Sequence, residues 1–164
     1  MALTGLYNQH YLRRHLGGLI ETGQGRQLAV LMIDVDHFKS VNDRFGHATG
    51  DQALRLIADS MRINTRMFDS VARYGGEEFV VVMPGTGPQE ADAAAERLRL
   101  AVESIEFIAA CGTRTPLTIS IGIASARIQT IAPDTLLTAA DAALYEAKRK
   151  GRNRVEVAGM LTAT

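Results

Sequence analysis

The stretch Ser70-Val71-Ala72-Arg73-Tyr74-Gly75-Gly76-Glu77-Glu78-Phe79-Val80-Val81-Val82-Met83 decides how this chain is read. Two apolar runs of strand-forming residues flank two glycines and two adjacent carboxylates. The pattern predicts a β-hairpin with its acids at the tip. Gly75 and Gly76 permit positive φ there and leave no Cβ in the way of a close ligand. Two carboxylates held at such a tip attract a divalent metal, and the metal attracts phosphate. The plain alternative is a solvated turn whose acids only protect the sheet.

A second acidic cluster lies upstream, where Leu28-Ala29-Val30-Leu31-Met32-Ile33 runs into Asp34-Val35-Asp36. A run apolar on both faces suits a central, doubly covered strand. Alternation puts Asp34 and Asp36 on one face. An ionised Asp at the end of a buried strand is costly unless paired or ligated. Metal is the reading for Asp34; for Asp36, a cap on the following turn stands equally with function. A neighbouring hairpin would bring Glu77 and Glu78 beside Asp34, as phosphoryl-transfer sites require.

The remaining composition narrows the classes. The 164 residues suit one domain with a single core. Lys plus Arg and Asp plus Glu are balanced at 18 each, so no global field argues for nucleic acid or a membrane surface. No apolar run approaches the roughly 20 residues that span a bilayer, and no signal peptide follows Met1. The single Cys111 fits a cytoplasmic protein and reads as a core or loop residue rather than a nucleophile. Zinc patterns, a Walker A loop and a Gly-x-Ser-x-Gly elbow are all lacking.

Periodicity predicts helices near 7–21, 50–63, 88–104 and 133–150. Strands are expected at 27–35, 115–126 and 154–157 besides the hairpin, with an irregular segment after Asp36. The fold class is therefore an α/β (α+β) sandwich, a mostly antiparallel central sheet flanked by helices. Residues 1–158 form the domain, and 159–164 are expected to be a frayed tail.

The hairpin resembles the signature of the GGDEF family, the diguanylate cyclases, in its Gly-Gly-Glu-Glu-Phe form. Asp34-Val35-Asp36-His37-Phe38-Lys39-Ser40-Val41-Asn42-Asp43-Arg44-Phe45-Gly46-His47-Ala48-Thr49-Gly50-Asp51 resembles the family's other long motif. Leu3-Thr4-Gly5-Leu6-Tyr7-Asn8 and Ala147-Lys148-Arg149-Lys150-Gly151-Arg152-Asn153-Arg154-Val155 also match, in the family's order. The resemblance implies a nucleotidyl-cyclase or polymerase-palm (ferredoxin-like) fold. It implies a bacterial second-messenger enzyme that joins two GTP into cyclic di-GMP across a homodimer, releasing two pyrophosphates.

By motif position Glu77 is the implied base and a metal ligand, with Lys39 a catalytic cation or a solvated turn lysine. Asp34, the Val35 carbonyl, Glu77 and Glu78 would hold Mg²⁺ or Mn²⁺, two ions per site. Asn42 and Asp51 correspond to the guanine-binding pair; guanine's adjacent donors suit an Asp acceptor, and Asn both donates and accepts. A turn residue and a helix N-cap are their plain alternatives. Phe38 and Leu54 would line the base pocket or belong to the core. Gly75 and Gly76 would admit substrate closely. Lys148 and Arg152 match phosphate contacts, or are cations at a helix end. Arg66-Met67-Phe68-Asp69, separated from Gly75 by five residues, falls at the family's inhibitory product site, with Arg97 a second contact. Arg reads guanine O6 and N7 bidentately, and Asp accepts from N1–H and N2–H₂; the alternative is a surface ion pair.

Gln9 and His10 depart from the family, which commonly carries two arginines after Asn8. Members normally carry an N-terminal sensory or receiver module. A start at Leu3-Thr4-Gly5-Leu6 raises the expectation of a domain from a longer parent, or else a small free-standing protein. The rival function is a non-catalytic GTP or cyclic di-GMP receptor on the same fold, against which the retained acids argue. A palm-type enzyme for another nucleotide is a more distant rival.

Overall fold

β1 (Gln27–Val35) is the spine of the protein. Leu28, Val30 and Met32 pack to one side; Ala29, Leu31, Ile33 and Val35 pack to the other. Both faces are buried, as the unbroken apolar run required. The computed structural model describes residues 3–23, 25–128 and 131–161.

β3 (Glu78–Pro84) pairs antiparallel with one side of β1 and β4 (Ile119–Arg127) with the other. β2 (Ser70–Arg73) extends the sheet beyond β3, and β5 (Val155–Leu161) extends it beyond β4. The order is β2-β3-β1-β4-β5, with β4–β5 the parallel pair. The mostly antiparallel sandwich expected from the sequence is thus observed.

Helices α3 (His47–Ile63) and α4 (Pro88–Glu103) cover one face through Leu54, Ile57, Met61, Ala91 and Leu98. Helices α1 (Gln9–Thr22) and α5 (Pro133–Arg149) cover the other through Leu12, Leu16, Leu136 and Leu144. Each such Leu or Ile contributes about 1.5–3 kcal/mol by burial. α1 starts at Asn8, whose side chain accepts from the Tyr11 N–H at 2.9 Å. α5 lies so close to β4 that a Cβ at Gly122 would stand 2.2 Å from the Ala140 carbonyl oxygen and the Leu144 nitrogen. That approach carries the end of α5, with Lys148, to the end of β1.

The local expectations need four corrections. The segment after Asp36 is helical: α2 (Phe38–Phe45) buries Phe38 and Val41, one turn apart. α3 begins at His47 rather than Gly50, because Gly46, at φ 89°, turns the chain directly from α2 into α3. β4 begins at Ile119 rather than Thr115, because its partner β1 ends where Val35 faces Ile119. β5 runs on to Leu161, because β4 offers it partners as far as Ala126. The tail expected to fray from 159 therefore begins inside a strand, and 162–164 lie outside the described residues. Cys111 sits in an exposed turn. Among the described residues no helix is long and apolar enough to cross a membrane.

Candidate active site

The open end of β1 gathers the predicted acids. Asp34 stands opposite Glu78 in the β1–β3 ladder, and the Val35 N–H donates to the Glu77 carbonyl at 3.2 Å. Asp34 is buried; Glu77 and Glu78 are half-buried. Lys148 reaches over from α5 and forms an ion pair with Asp34 Oδ2. Asp34 Oδ1 is buried without a hydrogen-bond partner. Burial raises the carboxyl groups of Glu77 and Glu78 above the ordinary range, and the Asp34 charge raises them further. The Lys148 cation opposes both shifts.

Asp36 lines the cleft at this end of β1 but does not cap the turn that follows it. It accepts from Thr118 Oγ1 at 2.7 Å, Ser120 Oγ at 2.6 Å and the Asn153 N–H at 3.0 Å. It staples β1 to β4 and to the loop after α5, its oxygens already engaged.

The hairpin tip is built differently from the expectation. Gly75 and Gly76 avoid the left-handed region. Instead, a Cβ at Gly75 would come 3.0 Å from Glu78 Oε1, so the glycine leaves room for that carboxylate. The turn is clamped from within. Arg73 donates through Nε to the Gly75 carbonyl at 3.2 Å and through Nη2 to the Gly76 carbonyl at 2.7 Å. From behind the sheet, Arg13 donates to the Tyr74 hydroxyl at 2.9 Å and pairs with Asp134. The motifs do not single out Arg73 or Arg13. An arginine two residues before a glycine pair is a signal for Arg73; Arg13, distant in sequence, offers none.

A cleft of about 310 Å³ opens beside the acids. Its walls include Asp34, Val35, Lys39, Glu77, Lys148 and Arg152. Lys39 and Arg152 are exposed there, and Phe38 lines the cleft while packing into the core. Leu54 is 1% exposed and is a core residue. His37, Arg152 and Asn153 are the non-glycine residues with positive φ among those described, and all border this cleft or the Asp36 staple. Backbone held in a sparsely populated region concentrates at functional sites.

Asn42 and Asp51 lie on α2 and α3, where those helices meet. Asn42 is a helical residue, not a turn residue. Asp51 is half-buried a full turn inside α3, whose N-cap is Gly46, so its capping alternative is excluded. Phe38 links this pair to the cleft, because its ring reaches Gly50.

Arg66 and Arg97 line a separate cleft of about 510 Å³ between the end of α3 and α4. Arg66 donates to Thr86 Oγ1 at 2.5 Å, and Arg97 donates to the Asn64 carbonyl at 3.1 Å. Asp69 lines an adjoining cleft that Arg66 also borders, and its Oδ2 pairs with Arg66 Nε at 3.7 Å, the ion pair of the plain alternative. Its side chain is 1% exposed and accepts from the Arg66 N–H at 2.9 Å, closing the turn that presents Arg66.

Residues 2–154 match the family described as diguanylate cyclase, GGDEF domain. The chain is 43% identical over 156 residues to the response regulator PleD of Caulobacter vibrioides, covering 93% of this chain and 34% of PleD. It is 42% identical over 158 residues to diguanylate cyclase A of Treponema denticola, covering 93% of this chain and 42% of that protein. The chain thus spans well under half the length of these curated relatives. The crystal structure of the GGDEF domain of DgcB from Caulobacter crescentus, in complex with c-di-GMP, superposes with a TM-score of 0.88 at 33% identity. That likeness covers 96% of this chain and 92% of the other.

Proposed function

This chain belongs to the GGDEF-domain family of diguanylate cyclases, and from that premise we propose that it condenses two GTP into cyclic di-GMP and two pyrophosphates. The observation that carries this reading is one cleft bearing Asp34, Glu77, Lys148 and Arg152, with Glu78 facing Asp34 across the ladder. Acids beside cations suit a triphosphate and its counterion. The pair Asn42 and Asp51 adjoins through Phe38 and suits a guanine base.

In each half-reaction a 3′-oxygen attacks the α-phosphorus of the other nucleotide. The new P–O bond forms as the bond to pyrophosphate breaks. Glu77 accepts the hydroxyl proton, and its raised pKa brings it nearer neutrality, where a general base works best. Lys148, Arg152 and Lys39 hold the phosphate oxygens and oppose the charge that builds on them. Asp51 takes the guanine donors, and Asn42 supplies the complementary contact.

The donor set fits Mg²⁺ or Mn²⁺. Asp34, Glu77, Glu78 and the Val35 carbonyl are hard oxygen ligands, and Asp34 Oδ1 is an orphaned buried acceptor. Among the described residues no group of three His, Cys, Asp or Glu side chains is placed to hold a metal ion by itself, so an ion here would also need the Val35 carbonyl and substrate oxygens. An open set suits Mg²⁺, which is usually held by one or two carboxylates plus substrate phosphates. When bound, such ions would neutralise the phosphate oxygens and make the 3′-hydroxyl easier to deprotonate.

Two domains would meet face to face, each bringing one GTP. Cyclic di-GMP would also bind at the Arg66 and Arg97 cleft and hold the active sites apart. The test is to incubate the protein with Mg²⁺ and GTP and separate the products chromatographically. Cyclic di-GMP and pyrophosphate should appear, and Glu77→Gln should abolish them while keeping the fold. GTP bound but unconverted by the wild-type chain would favour the receptor reading.

A further inference from the structure

We propose that Gly50 is a positioning residue for base selection: by having no side chain it seats the Asn42 amide that reads the purine. The inference rests on the proposed reading of Asn42 as a guanine contact. It begins from a steric fact. A Cβ built at Gly50 would stand 1.8 Å from Asn42 Oδ1, 2.9 Å from Asn42 Cγ and 3.1 Å from Phe38 Cζ. The first two separations are impossible for real atoms, so an alanine at 50 and the present Asn42 rotamer exclude each other.

Gly50 has no local reason to be glycine. It is buried within the first turns of α3, where glycine is a poor helix former and alanine the best. Its φ lies outside the left-handed region, so the backbone does not demand it. What demands it is the Asn42 side chain, which lies over it from α2.

The consequence for Asn42 is an orientation. Oδ1 is buried against Gly50 and has no hydrogen-bond partner. The residue as a whole is only half-buried, so the burial falls on the oxygen side. The amide nitrogen is the end left to face a ligand. A donor offered by Asn42 and acceptors offered by Asp51, the neighbour of Gly50, make a pair of opposite sense. Guanine's carbonyl can take the Asn42 donor while its two adjacent N–H donors fill both Asp51 oxygens; adenine offers only one donor group on that edge and no carbonyl, so it leaves part of the pair unmet. The orphaned Oδ1 is the local cost of holding the amide in that sense.

The atoms an alanine would strike first belong to the free end of a side chain, which can rotate away. The fold therefore tolerates the change, and base selection does not. Gly50→Ala should leave Tm unchanged or raised, because a helix-interior glycine has been removed. It should cut the preference for guanine.

The experiment measures equilibrium binding of 3′-deoxy-GTP and 3′-deoxy-ATP, which lack the attacking hydroxyl, together with Tm. The proteins are wild type, Gly50→Ala, Asn42→Ala and the double variant. Gly50→Ala should lower the guanine-over-adenine affinity ratio by about ten-fold, the size of one good hydrogen-bonded contact. In the Asn42→Ala background the same change should shift that ratio by less than about two-fold, because the two residues act as a unit. If Asn42→Ala binds 3′-deoxy-GTP like wild type, the guanine reading of Asn42 fails and the inference fails with it. If Asn42→Ala weakens binding but Gly50→Ala keeps the full ratio, the inference alone is overturned. Should Gly50→Ala lower Tm, the double variant, relieved of the amide clash, must restore it. Failure to do so would place the strain at Phe38 and also overturn the inference.

Discussion

Asp34 and Glu78 face each other directly across the β1–β3 ladder, two carboxylates in a position where like charges repel. Lys148 is the cation that moderates them. Repulsion between them disfavours the folded protein, and a bound cation would relieve it.

Glu78→Gln should therefore stabilise the metal-free protein at neutral pH. The Glu78 carboxyl is raised in the folded state by burial and by Asp34. Between its ordinary value and the raised one, the folded state holds more protons than the unfolded state, so stability falls as pH rises through that window. The advantage of Glu78→Gln should be full above the raised pKa and vanish below the ordinary carboxylate value. Urea unfolding in chelator across that range measures it; an advantage that grew on acidification would contradict the assignment.

Lys148→Met should move two affinities in opposite directions. Lys148 pairs with Asp34 Oδ2, so its loss frees that oxygen for a cation. Mg²⁺ or Mn²⁺ should bind the nucleotide-free protein several-fold more tightly. GTP should bind about ten-fold or more weakly, since a charge-assisted contact is worth about 1.5–3 kcal/mol. Titration calorimetry reads both, and parallel changes would mean that Lys148 serves only one partner.

Arg66→Ala should weaken cyclic di-GMP binding by about ten-fold or more, as expected for losing a bidentate arginine contact of roughly 1–3 kcal/mol. Arg66 and Arg97 line a cleft separate from the acids, so inhibition of the wild type should be non-competitive with GTP. Catalysis by the variant should persist. Equal product affinities in calorimetry would leave Arg66 as a surface residue bonded to Thr86.

Specific activity should rise with protein concentration at saturating GTP. In the proposed reaction each cleft of about 310 Å³ would hold one nucleotide, and the attacking 3′-hydroxyl would come from the nucleotide of a second domain. Activity that stayed flat down to concentrations where sedimentation shows only monomer would rule out the two-domain reaction.

Chemistry that depends on the order of residues is legible in the chain itself. The Arg66-x-x-Asp69 reading comes from the family resemblance, whereas the apolar run ending at Asp34 and the Glu77 and Glu78 that follow two glycines are read from alternation and local turn preference. These fix which side chains share a face and roughly where strands and helices lie. The sequence alone determined the sandwich, its antiparallel centre and the acids at the end of β1.

Relations between distant segments were left to packing. Asp36 reads like Asp34 in sequence, yet Thr118, Ser120 and Asn153 claim its oxygens, because β4 and the end of α5 close over it. A helix cap is the plain alternative for Asp51 in sequence, but burial of Phe38 and Val41 folds α2 against α3 and starts the second helix earlier. Arg13 reaches Tyr74 only because α1 lies across the sheet. Asp69 is spent on Arg66, through its backbone N–H and its guanidinium, and does not line the cleft that Arg66 and Arg97 share. A partner's approach depends on three-dimensional proximity, which no local periodicity encodes, so only the tertiary structure decided which carboxylates are engaged and which are left for a ligand.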